Sequence, residues 1–138
     1  MLFLEPKKVE TMKVNFQNLE KQSKEKNIQE IVKELAEILG ERMTVFVSGR
    51  NNVNALKFWL SGKGNPEPAE ELRLRYAYRG AKALSNEYDS ATAVSFFMGM
   101  NRSLNEEAPA SFLRDHEKEK DLEEVWLAVK GFITDPMG

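Results

Sequence analysis

The chain has 138 residues, of which 41% are hydrophobic and 30% charged, with a formal net charge of −2. That length fits one compact domain or two helical modules sharing a core, and no apolar run approaches the roughly 18 residues that a membrane-spanning helix needs. Cysteine is absent, which excludes disulfides and thiolate metal sites and fits a reducing, cytoplasmic setting.

In chain order, Leu2, Phe3 and Leu4 form too short an apolar patch for a signal peptide, and no small-residue cleavage site follows. Val9, Met12, Phe16 and Leu19 fall at helical spacing, so residues 1–26 read either as a first amphipathic helix or as a charged arm. Asn27 with Glu30 forms a capping-box pattern. Ile28, Ile31, Val32, Leu35, Ile38 and Leu39 then trace one helix face, and Gly40 ends it. A short helix is expected over Met43–Ser48, and Gly49 breaks it. Arg50, Asn51 and Asn52 form a polar turn in which Asn52 can cap a helix over Val53–Ser61, with Val53, Leu56, Trp59 and Leu60 facing inward. Gly62 and Lys63-Gly64-Asn65-Pro66 make a loop.

Pro68, Glu70 and Glu71 suit the first turn of a long helix running to about Asn86. It is apolar on more than one side and should lie centrally. A further helix starts at Asp89 or Ser90 and includes Val94, Phe96, Phe97 and Met98. Residues Gly99 to Asn105 bend, and Pro109 opens a short helix with Phe112 and Leu113. The last helix runs from about His116 to Ile133, with Leu122, Val125, Trp126, Val129 and Phe132 as its buried stripe. Val45-Phe46-Val47 has strand propensity but is short and lies between helical signals, so no strand is expected.

The net charge conceals an asymmetry. Residues 1–40 are neutral overall, residues 41–82 carry +4 and residues 83–138 carry −6. A basic middle can meet phosphate, whereas an acidic end suits a basic protein surface. The basic middle contains the pattern of a helix-turn-helix: a short helix, a glycine turn and a second helix. Ser48 is small where the two helices approach, and Leu56 and Trp59 anchor the second one. Its outward positions are Asn52, Asn54 and Lys57. Asparagine can pair with adenine and lysine with guanine in the major groove. Arg50, Lys63 and Arg42 are placed for phosphates, and Asn51 in the same turn belongs to the expected DNA-binding set. The same spacing also fits a helical hairpin with a solvated polar face.

The run Val53-Asn-Ala-Leu-Lys-Phe-Trp-Leu-Ser-Gly62, followed by Pro66, resembles the recognition helix and exit loop of Xre/Cro-type helix-turn-helix proteins. Val94-Ser-Phe-Phe-Met-Gly-Met-Asn-Arg-Ser-Leu104, then Pro109-Ala-Ser-Phe-Leu113, resembles the Xre/MbcA/ParS-like toxin-binding domain. There an aromatic helix leads to an Asn-x-x-Leu bend, here Asn101 and Leu104, and then to a Pro-x-x-Leu-Leu start, here Pro109 with Phe112-Leu113. Two departures stand out: Asn105-Glu106-Glu107-Ala108 replaces a small, glycine-rich stretch, and Phe112 replaces the first leucine. The resemblances span about residues 28–133.

They imply an all-α fold, a helix-turn-helix bundle followed by a small C-terminal helical module. The implied boundaries are an arm or helix over 1–26, a helix-turn-helix domain over 27–86 and a toxin-binding domain over 87–138. They further imply an antitoxin that neutralises a toxin encoded beside it, forms a homodimer and represses its own promoter. Toxins paired with this family include RES-domain enzymes that consume NAD. Asn101, Arg102, Glu106, Glu107 and Arg114 are the expected partner contacts. Two alternatives stand beside this: a transcription regulator acting alone, and a protein-interaction module that no longer touches DNA.

An enzyme is not expected. The single histidine, His116, has no second histidine to form a ligand pair and reads as a solvated residue near a helix start. Glu106-Glu107 and Glu123-Glu124 are adjacent, so the side chains of each pair diverge on a helix. No glycine-rich phosphate loop follows a strand, and neither cofactor nor metal is called for.

Overall fold

A computed structural model describes residues 12–135. Leu2–Leu4 and Val9, which figured in the reading of the first segment, lie outside the described residues. Within them the chain forms eight α-helices and no strand beyond an isolated bridge between Asn101 and Glu107.

Within residues 12–26 the chain forms a helix, α1 (Phe16–Glu25), capped by Asn15, whose side chain accepts from the Asn18 N–H at 3.0 Å. Helix α2 (Ile28–Leu39) starts where expected, but Asn27 caps it through the Gln29 N–H at 2.8 Å. The expected return bond from Glu30 is not formed among the described residues. Such a bond occurs instead at α5 (Pro68–Glu87), where Glu70 accepts from the Glu67 N–H at 2.8 Å. Between them lie α3 (Glu41–Ser48) and α4 (Asn54–Leu60).

Helix α5 is the axis of the molecule. It packs against α1, α2 and α3 and also against α6 (Ser90–Met98), α7 (Pro109–Asp115) and α8 (Glu119–Thr134). Its small residues Ala77, Gly80, Ala81 and Ala83 permit that crowding. A Cβ at Gly80 would lie 3.1 Å from Val129 Cγ2 and 3.2 Å from Phe97 Cζ, so glycine lets α6 and α8 close on α5 together. One hydrophobic cluster runs from Val14 to Ile133, with Trp59, Trp126 and Phe97 among its buried side chains. Val14 is held there by Glu87: that buried carboxylate accepts the Lys13 and Val14 N–H groups at 2.8 and 3.2 Å.

The structure corrects four sequence expectations. Leu60 is not inward-facing: it is the last residue of α4 and is 42% exposed, because the chain turns away at Gly62. Val53 is only partly buried. Ile133 takes the deepest place at the end of α8, and the partly buried Phe132 packs edge-on against Phe96 and Tyr88 at 5.5 and 5.9 Å. His116 closes α7 rather than opening α8. Its ring stacks on Phe112 at 4.0 Å and its Nδ1 lies 2.7 Å from the Phe112 carbonyl.

Candidate functional site

The α3–α4 corner is built from local chemistry. The buried Ser48 hydroxyl donates to the Val45 carbonyl at 2.6 Å and accepts from the Arg50 N–H at 3.2 Å, which starts the turn. Gly49 follows at φ 105°, a left-handed conformation that ends helices cheaply only without a Cβ. The Asn52 side chain then accepts from the Asn54 N–H at 2.8 Å and launches α4. Leu56 and Trp59, both buried, fix that helix to the core.

The end of α3 leaves carbonyls without helical partners, and two arginines from distant elements satisfy them. Arg73 of α5 donates to the Ser48 carbonyl at 2.9 Å and to the His116 carbonyl at 2.7 Å. Arg114 of α7 donates to the Phe46 carbonyl at 2.7 Å, the Arg50 carbonyl at 3.0 Å and the Asn51 side chain. Its guanidinium also lies over the Phe46 ring at 4.6 Å. The corner is therefore clamped from the central helix and from the C-terminal half at once.

This distributes the expected DNA-contacting residues unequally. Arg50 is engaged: its guanidinium meets the Glu70 carboxylate at 2.5 and 3.2 Å and lies 5.9 Å from the Trp59 ring centre. Burial raises the Glu70 carboxyl, but hydrogen bonds from Arg50 and the Glu67 N–H outweigh it and hold the group below its ordinary value. Asn51 is tied to Arg114, and the Asn52 side chain is taken by the Asn54 N–H one position ahead of the α4 N-cap, Val53. Asn54, Lys57 and Lys63 are exposed, and their side chains make no hydrogen bond or ion pair among the described residues. Beside them, Phe58 is 55% exposed, which the sequence did not suggest.

The expected partner-contacting residues divide in the same way. Asn101 organises the bend: its side chain accepts from the Ser103 N–H at 2.9 Å, and its carbonyl accepts from Leu104 and Glu106 at 3.0 and 2.9 Å. A 3-10 turn over Arg102–Leu104 buries Leu104, and Asn105 and Glu106 follow at φ 56° and 66°. Glu107 accepts from the Asn101 N–H through its carbonyl at 3.0 Å. Arg102 and Glu106 reach into solvent, 3.9 Å apart. Arg114 is 64 residues from Arg50 in sequence and belongs to the clamped corner rather than to the bend.

The fold resembles a solved one. It is similar to the MbcA antitoxin chain of the M. tuberculosis MbcT-MbcA toxin-antitoxin complex, with a TM-score of 0.55 and 23% identity over 75% of this chain and 94% of that one. At that identity the likeness is one of fold. No family's sequence profile matches the chain, and no curated protein matches it. No group of three or more His, Asp or Glu side chains among the described residues is placed to hold a metal ion. No helix among them is long and apolar enough to cross a membrane.

Sequence reasoning missed the Arg73–Arg114 clamp and the exposed apolar side chains Met98, Met100 and Leu127. The second set did leave a signal. Leu127 falls off the stripe of Leu122, Val125 and Val129, and the two methionines flank Gly99, Met98 as the last residue of α6 and Met100 just beyond it.

Proposed function

We propose that this protein is the antitoxin of a bacterial toxin–antitoxin pair. It holds its toxin through the C-terminal module, residues 87–138, and its own promoter DNA through the α3–α4 corner, as a cytoplasmic homodimer. The observation that carries this is the likeness of fold to the MbcA antitoxin over most of both chains. The acidic C-terminal stretch, residues 83–138 with net −6, supports a basic protein partner there.

For DNA, base readout falls to Asn54 and Lys57, the two outward side chains of α4 free to pair with base edges. Lys63 supplies a phosphate contact. Arg50 would first have to leave Glu70 to reach one. So few free cations give one copy little affinity, and two half-sites read by a dimer would restore it. A gel shift on the protein's own upstream DNA at rising salt tests this half. A salt-sensitive shift at an inverted repeat is expected. Co-expression with the product of the adjacent reading frame tests the other half: that product should be toxic alone and co-purify with this chain. A harmless neighbour that does not co-purify removes the antitoxin assignment.

A second reading is favoured by one observation. Phe58 and Leu60 expose apolar surface on the short helix that would enter the groove, and base edges offer apolar contact chiefly at thymine methyls. On that reading the corner contacts protein and the gel shift is absent at every salt concentration.

A further inference from the structure

Two of the most exposed large apolar side chains lie on the C-terminal half, Met100 at 79% and Leu127 at 55%. They line two adjoining hollows of about 450 and 520 Å³, which share Met100, Asn101 and Phe132 in their walls. The first runs along α6 past Phe96, and the second crosses from the bend to Leu127 on α8. The result is an open apolar groove with room for several side chains. Exposed apolar surface of this kind, rimmed by polar groups, marks an interaction site on an otherwise polar surface. Methionines adapt their shape to whatever packs on them.

The rim states what the occupant must be. Asp89, Glu124 and Asp135 stand around the groove, with Arg102 as the one cation lining it among the described residues. None of these three carboxylates has an ion-pair partner among the described residues. Asp89 is used only as the cap of α6, accepting from the Thr92 N–H at 2.7 Å. A second copy of this chain packed face to face would bring the same carboxylates toward each other. A partner segment with an apolar stripe and flanking Lys or Arg would neutralise them.

We infer that this groove docks an amphipathic, basic-flanked helix of the partner toxin, with Met100 and Leu127 as its apolar anchors and Asp89, Glu124 and Asp135 as its charge match. The inference rests on the antitoxin reading and gives it an address that includes Asn101, which lines both hollows.

The test uses the full chain and the purified product of the adjacent reading frame. Met100→Glu and Leu127→Glu each weaken binding about tenfold or more, the scale expected for a truncated interface anchor, with unchanged circular dichroism because both sites are exposed. Glu124→Lys weakens binding and steepens its loss in salt, while Glu37→Lys, the same charge change on the exposed face of α2, does not. A photo-crosslinking residue at position 127 joins the chain to the neighbour's product. Crosslinks to a second copy of this chain, or within the same chain, overturn the inference. Wild-type binding that none of the groove variants alters overturns the groove and leaves the antitoxin assignment standing. No binding by the wild-type chain removes both.

Discussion

Replacing Arg114 with alanine isolates the coupling between the two halves. The guanidinium donates three hydrogen bonds, to two carbonyls and an amide oxygen of the α3–α4 corner, and covers the Phe46 ring. At a partly wet site each bond contributes about 0.5 kcal/mol, since the freed carbonyls can turn to water. The ring contact adds about 0.5 kcal/mol. The loss is therefore about 2 kcal/mol. With an unfolding entropy near 2.1 cal/mol/K per residue, it lowers Tm by about 7 °C for a chain of 138 residues.

The effect should also be local. A loss of about 2 kcal/mol in the opening free energy of the corner speeds amide exchange there about thirtyfold. The amides of residues 49–56 should respond, while those in the middle of α5 follow only the global change. Lysine at 114 keeps the charge but cannot span three acceptors with a planar fork, so it recovers less than half. Unchanged exchange over 49–56 in Arg114→Ala, with native Tm, would refute the clamp.

Three further outcomes follow from the geometry. Gly80→Leu drives a side chain between Val129 and Phe97, where even a Cβ is tight, and should cost about 3 kcal/mol or abolish folding, read by urea denaturation. Glu34 bonds Lys26 and Lys82 and lies 3.5 Å from the Tyr78 hydroxyl. Burial raises its carboxyl, but the two lysines outweigh that and depress it below 4.5. A depressed carboxyl contributes stability above its unfolded value and loses it as pH falls through the folded one. The stability gap between wild type and Glu34→Gln should thus be constant at neutral pH and close below 4.5, followed by denaturant midpoint against pH. On the DNA proposal, Lys63→Ala lowers the salt slope of operator binding by about one unit without changing sequence preference, whereas Asn54→Ala relaxes preference at one base position, both read in competition gel shifts.

Periodicity and caps carried the helices. Asn27, Gly40, Gly49, Asn52, Pro68, Asp89 and Pro109 mark their ends because capping and turn formation depend on residues a few positions apart, which a sequence displays directly. The central place of α5 was equally legible: a helix apolar on several sides has to be enclosed. Leu60 and Phe132 were misplaced because an apolar stripe gives a direction, while burial depends on whether another helix lies in that direction at that height. His116 was assigned to the wrong helix because one short link separates α7 from α8, and stacking on Phe112 decided it. The candidate site was the least legible. Arg50, Asn51 and Arg114 have the chemistry to contact DNA or protein, yet Glu70 claims Arg50, and Arg114 is claimed by Asn51 and the Phe46 carbonyl, across separations of 20 to 68 residues. Which cations remain free, and which methionines stand uncovered, are outcomes of long-range packing. Local sequence states what a side chain can bind; only the folded chain decides whether its partner is already inside the molecule.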